Sequence, residues 1–262
     1  MSLVGKTLAG SYKDILQADN SNNGITTVTK TIKDGEGNET SMSLSDDNLG
    51  IDPKNDDTTT AFRVRTKGGT TVLAVDTTNQ LVIASGNNVN TQYATFGITN
   101  ALTSMVINTH HAIPFSAIKN SPDTSYPPAF GTGTDPATTF TTAEGNGTRA
   151  SDLVPMLWHV PDAISIDSVT SIEGADTATG DTTRMHLFSY AFTSGSTSAL
   201  ASGTLLAHNS DVTNAGSEQA YKSIWTVDSG AVTAGRVILA FFRSDSINSD
   251  YSINITVKYH LT

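Results

Sequence analysis

The sequence predicts an all-β protein with an N-terminal tether, a small β-meander stalk and a C-terminal antiparallel β-sandwich or jelly roll. Three observations lead there. Thr, Ser, Asn, Asp and Gly dominate the non-apolar residues while only 15% are charged, and β-branched Thr favours strands as Asn, Asp and Gly favour turns. Short apolar runs with period-two alternation recur, separated by turn clusters. Long helical periodicity is almost absent. At 262 residues the chain has room for one large domain or two small ones.

Residues 1–25 read as a tether. Tyr12, Ile15 and Leu16 fall at i, i+3 and i+4, the spacing of one helical turn or a docking segment, before the polar break at 19–24. Residues 26–90 read as a β-rich stalk. Ile25, Val28 and Ile32, then Met42 and Leu44, flank the turn DGEGN at 34–38, which suits a hairpin with a polar tip. Asp34, Glu36 and Asn38 repeat oxygen ligands at every second position, as part of a calcium loop does. The twelfth position holds Ser45 in place of an acid, so a turn is expected there and no metal.

The stretch 58–85, TTTAFRVRTKGGTTVLAVDTTNQLVIAS, holds three apolar runs. Phe62 and Val64 alternate with Arg63 and Arg65, Gly68-Gly69 reverses the chain, and the cluster at 76–79 reverses it again before Leu81, Val82 and Ile83. Such a meander exposes more apolar side chain than it can bury alone, so self-association is expected.

Residues 91–150 read as a loop-rich connector with strands at 93–98 and 101–107, then a Pro- and Gly-rich segment from 114 to 151. Tyr126 in that segment is the candidate for an exposed contact, since loop aromatics beside small polar residues supply stacking and hydrogen bonds. Residues 151–262 form the outer domain, with strands at 154–159, 165–172, 184–192, 204–207, 221–227, 236–242 and 251–261. In the last, Tyr251, Ile253, Ile255, Val257, Tyr259 and Leu261 share one face, the mark of a half-buried strand. The run 237–242 is apolar on both faces and is expected to be central or covered twice. Trp158 and Trp225 lie within strands and Phe188, Tyr190, Phe192, Phe241 and Phe242 in apolar runs, and most of them are expected in the core.

Charge and motifs narrow the function classes. A formal charge of −10 disfavours phosphate backbones and anionic membranes. No apolar run approaches the ~20 residues of a membrane span, and the opening residues lack a signal-peptide pattern, so synthesis in a cytoplasm is expected. There is no cysteine, hence no disulfide or thiol chemistry. The six histidines are scattered: His110-His111 point to opposite faces of any strand, and His159, His186, His208 and His260 are singles. No nucleophile elbow, phosphate loop or dinucleotide fingerprint occurs. No catalytic residue, metal or cofactor is expected.

The strings SYKDILQADNSNNGI, KDGEGNETSMSLSDDNLGI and FRVRTKGGTTVLAVDTTNQLVI resemble the modular opening of virion-surface proteins of marine tailed phages. The strings VPDAISIDSV, GADTATGDTTRMHLFSY, EQAYKSI and SDSINSDYSINITVKYH are similar to the distal domain of the same group. The region near 100–150 carries no such resemblance. The resemblance implies a structural protein of a bacteriophage virion, a non-enzymatic homotrimer. Its N-terminus, with Tyr12, Ile15 and Leu16, would attach to other virion proteins while the C-terminal domain projects, as a tail fibre touching a host cell-surface glycan or protein. A capsid decoration role, as a head fibre or cement protein, is the alternative, and a glycan-cleaving tailspike is a third. Under this reading Phe62, Val64, Leu73, Val75, Leu81 and Ile83 are expected at the threefold contact, with Arg63, Arg65 and Lys67 facing water.

Overall fold

A computed structural model describes residues 15–18, 20, 23–98, 105–116, 128–142, 149–176, 179–246 and 250–262. The chain divides into two compact units, Met1–Val89 and Asn90–Thr262, and is all-β, as the composition predicts.

The first unit holds two antiparallel meanders. One joins β1 (Gln17–Ala18), β2 (Lys30–Lys33), β3 (Glu39–Leu44) and β4 (Leu49–Ile51) in sequence order; the other joins β5 (Phe62–Arg65), β6 (Thr71–Asp76), β7 (Leu81–Ala84) and β8 (Asn87–Asn88). Short polar side chains build the turns. The Asp34 carboxylate accepts from the Glu36 and Asn38 amides at 2.9 Å each and from Asn38 Nδ2 at 2.8 Å, and these bonds, the Asn38 side chain first, hold its pKa below the usual carboxylate value. Asp34 thus serves its own backbone. Gly69, at φ 88°, supplies the left-handed residue that closes the β5–β6 hairpin.

The second unit contains β9 (Thr91–Ile98), β10 (His111–Ile113), a single helical turn α1 (Ala150–Leu153), β11 (Trp158–His159), β12 (Ile164–Asp176), β13 (Thr182–Phe192), β14 (Leu200–His208), β15 (Val212–Thr213), β16 (Gln219–Ile224), β17 (Thr226–Val227), β18 (Ala231–Val232), β19 (Arg236–Ser244) and β20 (Asp250–Leu261). Seven of these form one sheet along β10-β19-β13-β14-β17, with β11 and β15 at its margins. Five form another along β16-β12-β20-β9, with β18 on β12. All pairings are antiparallel. The facing sides share one apolar core: Phe96, Val169, Ile255 and Val257 from the smaller sheet meet Met185, Leu187, Ile238 and Phe242 from the larger. This is a two-sheet sandwich. The outer face of the larger sheet is also covered. Phe130, Phe140, Leu153 and Met156 close over Phe188, Tyr190, Leu239 and Phe241 in a second core. β19 lies between β10 and β13 and is apolar on both faces because it serves both cores.

Several expectations need correction. Residues 91–150 are more than a connector: β9 pairs with β20 from Thr91 to Ile98, and Phe130 and Phe140 are buried. Scattered aromatics in a Pro/Gly-rich segment bury a sheet face without forming a long apolar run. The expected strand 154–159 begins as a 3-10 turn, Val154–Met156, because Pro155 lacks an N–H and its fixed φ suits a helical first turn. Only Trp158–His159 pairs as a strand. The expected strand 221–227 divides at Trp225, sending β16 to one sheet and β17 to the other. Trp225 anchors the crossing, its amide donating to Val169 O at 3.0 Å and its Nε1 to Ser171 Oγ at 2.9 Å. Of the expected strand 101–107, residues 101–104 lie outside the described residues. Residues 105–107 form no strand, and the chain turns at Asn108, φ 56°, before β10.

Candidate functional site

The β5–β8 meander is where the sequence placed self-association. Residues directly opposite in an antiparallel pair share a face. Phe62 pairs with Val75 and Val64 with Leu73; across the next hairpin Val75 pairs with Val82 and Leu73 with Ala84. One face is therefore Phe62, Val64, Leu73, Val75, Val82 and Ala84, all apolar. Phe62, Val64 and Val82 are each more than 40% exposed, and Leu73 and Val75 are half-buried. The opposite face carries Arg63, Ala74, Asp76, Leu81 and Ile83.

The structure thus splits the expected contact set. Phe62, Val64, Leu73 and Val75 stand together, whereas Leu81 and Ile83 are on the other side of the sheet. The turn decides this. Asp76 Oδ1 accepts from the Asn79 amide at 2.9 Å and Oδ2 from Asn79 Nδ2 at 2.8 Å, and Gln80 takes φ 58°, so Leu81 meets Asp76 and Val82 meets Val75. Val82 and Ala84 are the members that sequence reasoning missed. Arg63, Arg65 and Lys67 are exposed.

The described residues of the unit around this face form almost no core. Among its described residues, Ile32 and Ala74 are the only buried hydrophobic side chains. Of the expected attachment residues, Tyr12 lies outside the described residues; Ile15 is half-buried and Leu16 is 61% exposed, just before β1 pairs with β2. Tyr126 also lies outside the described residues.

The sandwich gathers polar groups that look scattered in sequence. His110, His186 and His208 converge on the outer face of the larger sheet, with ring centroids 4.9 Å apart for His110–His186 and 6.4 Å for His186–His208. His110 Nε2 lies 3.0 Å from Gly133 O, and His208 Nδ1 lies 2.7 Å from Asp228 Oδ2. His186 is fully buried; its Nε2 is 3.3 Å from Asp135 Oδ1 but out of line for a hydrogen bond, and neither ring nitrogen has a partner among the described residues. Burial, then the neighbouring His110 and Arg184, pushes its pKa down to about 3, so the ring is neutral at pH 7. Burial likewise lowers His110. The periodicity that reveals this convergence is only the alternation Arg184, His186, Phe188 on β13; the partners come from other strands. Within the sandwich, Glu173 is 1% exposed and its two carboxylate oxygens lie 3.0 and 2.9 Å from Thr183 Oγ1. Burial raises its pKa to about 7. Among the described residues no group of three or more His, Asp or Glu is arranged to hold a metal ion, and no helix is long and apolar enough to cross a membrane. Compared with known proteins, the chain matches no family model and no curated protein.

Proposed function

We propose that the protein is a non-enzymatic structural component of a bacteriophage virion. In this reading it is a homotrimeric fibre whose N-terminal segment attaches to other virion proteins and whose sandwich projects to adhere to the host surface. The observation that carries this reading is the near-absence of a core among the described residues of 1–89, beside the apolar face of Phe62, Val64, Leu73, Val75, Val82 and Ala84. A unit of this size with Ile32 and Ala74 as its buried apolar residues among those described does not reach the burial a small domain needs. Copies of the chain packing that face together complete the missing core. The likeness of its strings to virion-surface proteins of marine tailed phages supports three copies and a virion location. Adhesion then gains strength from multiplicity: weak sites on each trimer and many trimers per particle give avidity without a tight single site.

Sedimentation of the purified full chain tests the assembly. A trimer is expected, and a monomer at micromolar concentration overturns the proposal. Antibody labelling of intact virions tests the location: signal at the tail supports host adhesion, whereas signal on the head replaces it with capsid decoration.

A further inference from the structure

The end of the larger sheet beyond the second core opens into a cavity of about 230 Å³. Its walls are unusual for a chain of net charge −10. Arg184 on β13 and Arg243 on β19 are directly opposite in register, so the two side chains share one face, and both line the cavity. Like charges in that position repel, and of the two carboxylates at the cavity, Asp211 and Asp245, only Asp211 pairs with an arginine among the described residues. Arg184 Nη1 is 3.4 Å from Asp211 Oδ1, a long contact to a side chain that is 57% exposed. Arg243 Nη2 donates to a neutral acceptor, Asn108 Oδ1, at 3.0 Å. The Nε of both arginines is buried with no acceptor among the described residues. Asp245, a second carboxylate at the cavity, accepts from the Thr182 amide at 2.7 Å and forms no ion pair with either arginine among the described residues. Behind the pair on the same face stand His186 and His110, both of which feel the arginines as positive neighbours.

We infer that this cavity is an oxyanion-binding subsite, in which Arg184 and Arg243 together hold a carboxylate or sulfate group. Two planar guanidinium forks on the wall of one cavity offer the donors that such groups accept. An anion between them offsets their mutual repulsion. At 230 Å³ the cavity is smaller than the roughly 300–1,000 Å³ that encloses an extended small molecule. It suits one charged group, with the rest of any larger ligand outside. Asp211 is then the internal counter-ion that the ligand displaces. The subsite lies wholly within residues 90–262 and uses no residue of the β5–β8 face.

The shared chemistry is an oxyanion that is either a free inorganic ion or a group carried on a saccharide. Isothermal titration of the full chain with sodium sulfate, sodium glucuronate, glucose 6-sulfate and glucose separates the two. Saturable binding of the anions and none of glucose is expected. Tighter binding of glucuronate or glucose 6-sulfate than of sulfate assigns a saccharide-borne group, and the reverse order assigns the free ion. Arg243→Gln is expected to weaken binding by about tenfold or more, the loss of a charged hydrogen-bonding pair. Asp211→Asn, at an exposed side chain whose loss leaves the fold intact, is expected to tighten it. Absence of saturable binding of every anion, wild-type affinity in Arg243→Gln, or weaker binding in Asp211→Asn overturns the inference. Sedimentation of the same samples reads the trimer separately, so failure of one proposal is distinguishable from failure of the other.

Discussion

Replacing Glu173 with glutamine should stabilise the sandwich above neutral pH and leave its stability in acid nearly unchanged. In the native structure the carboxyl group is 1% exposed, and burial raises its pKa from 4.5 to about 7. When protonated it donates to Thr183 Oγ1, which in turn lies 3.4 Å from Val212 O. When ionised it accepts from the Thr183 hydroxyl and from the Asn214 side chain, and these do not make up for the water lost on burial. A folded-state pKa above the unfolded value means that the contribution is fully present below pH ~4.5 and disappears as pH rises through about 7. At about 1.4 kcal/mol per pH unit, the interval between 4.5 and about 7 corresponds to ~3 kcal/mol. The amide introduced by Glu173→Gln would reproduce the protonated acid, donating to Thr183, with nothing to titrate. Urea unfolding followed by tryptophan fluorescence isolates the unit, because both tryptophans, Trp158 and Trp225, are buried in it. The advantage of the variant over wild type should grow by ~3 kcal/mol between about pH 4 and about pH 8.5. Parallel stability profiles over that range would refute the assignment of Glu173 as a buried acid.

Three further outcomes follow from named contacts. His186 has the opposite sign: its folded pKa of about 3 lies below the ordinary 6.5, so its contribution is present above pH ~6.5 and is lost as pH falls towards about 3. His186→Phe, packed beside Phe188 and Phe241, should therefore move the acid-unfolding midpoint to lower pH; an unmoved midpoint excludes His186 as the acid trigger. Gly203→Ala places a Cβ 2.7 Å from Tyr190 Cε1 and 2.8 Å from Thr138 Cα. It should lower stability by about 1–3 kcal/mol, read as a reduced urea midpoint, and an unchanged midpoint would show that the covering segment yields freely. Val82→Lys introduces a charge on the apolar face at a side chain that is 44% exposed in the single chain. It should convert the proposed trimer to monomer in sedimentation and leave the tryptophan-monitored transition in place, whereas a variant that still sediments as a trimer would move the contact away from this face.

What the sequence discloses depends on whether local alternation is enough. It is enough for β20, where Tyr251, Ile253, Ile255 and Val257 are all buried as their spacing requires. It is enough for β19, whose two apolar faces state that it is covered twice. It fails in β12. Counting by two from Ile164 and Ile166 carries Ile172 into the core, yet Ile172 is 57% exposed, and Ser171 and Glu173 are buried. A bulge between Ile166 and Ser168 inserts Asp167 and reverses the phase. The extra residue is held to the partner strand, where Asp167 Oδ1 meets His260 Nδ1 at 2.8 Å. The histidines pose the same problem in three dimensions. His110, His186 and His208 are remote in sequence and meet only because β13 and β14 pair His186 with His208 while β10 docks on β19.

The β6–β7 hairpin marks the boundary between the two cases. Leu81, Val82 and Ile83 are three consecutive apolar residues, so alternation within β7 permits either phase, and only register selects one. The deciding information is nevertheless local. An Asp whose side chain binds the amide three residues on fixes the turn at 77–80. Once that length is fixed, Asp76 opposes Leu81, and counting outward assigns Val82 to Val75 and Ala84 to Leu73. The alternation names the apolar residues, while the turn chemistry says which of them stand on the same side. Any surface for assembly in this meander therefore follows from Asp76 and Asn79 as much as from the hydrophobic residues themselves. Loosening that turn should allow β7 to slip by one residue, which would move Val82 off the face and bring Leu81 and Ile83 onto it.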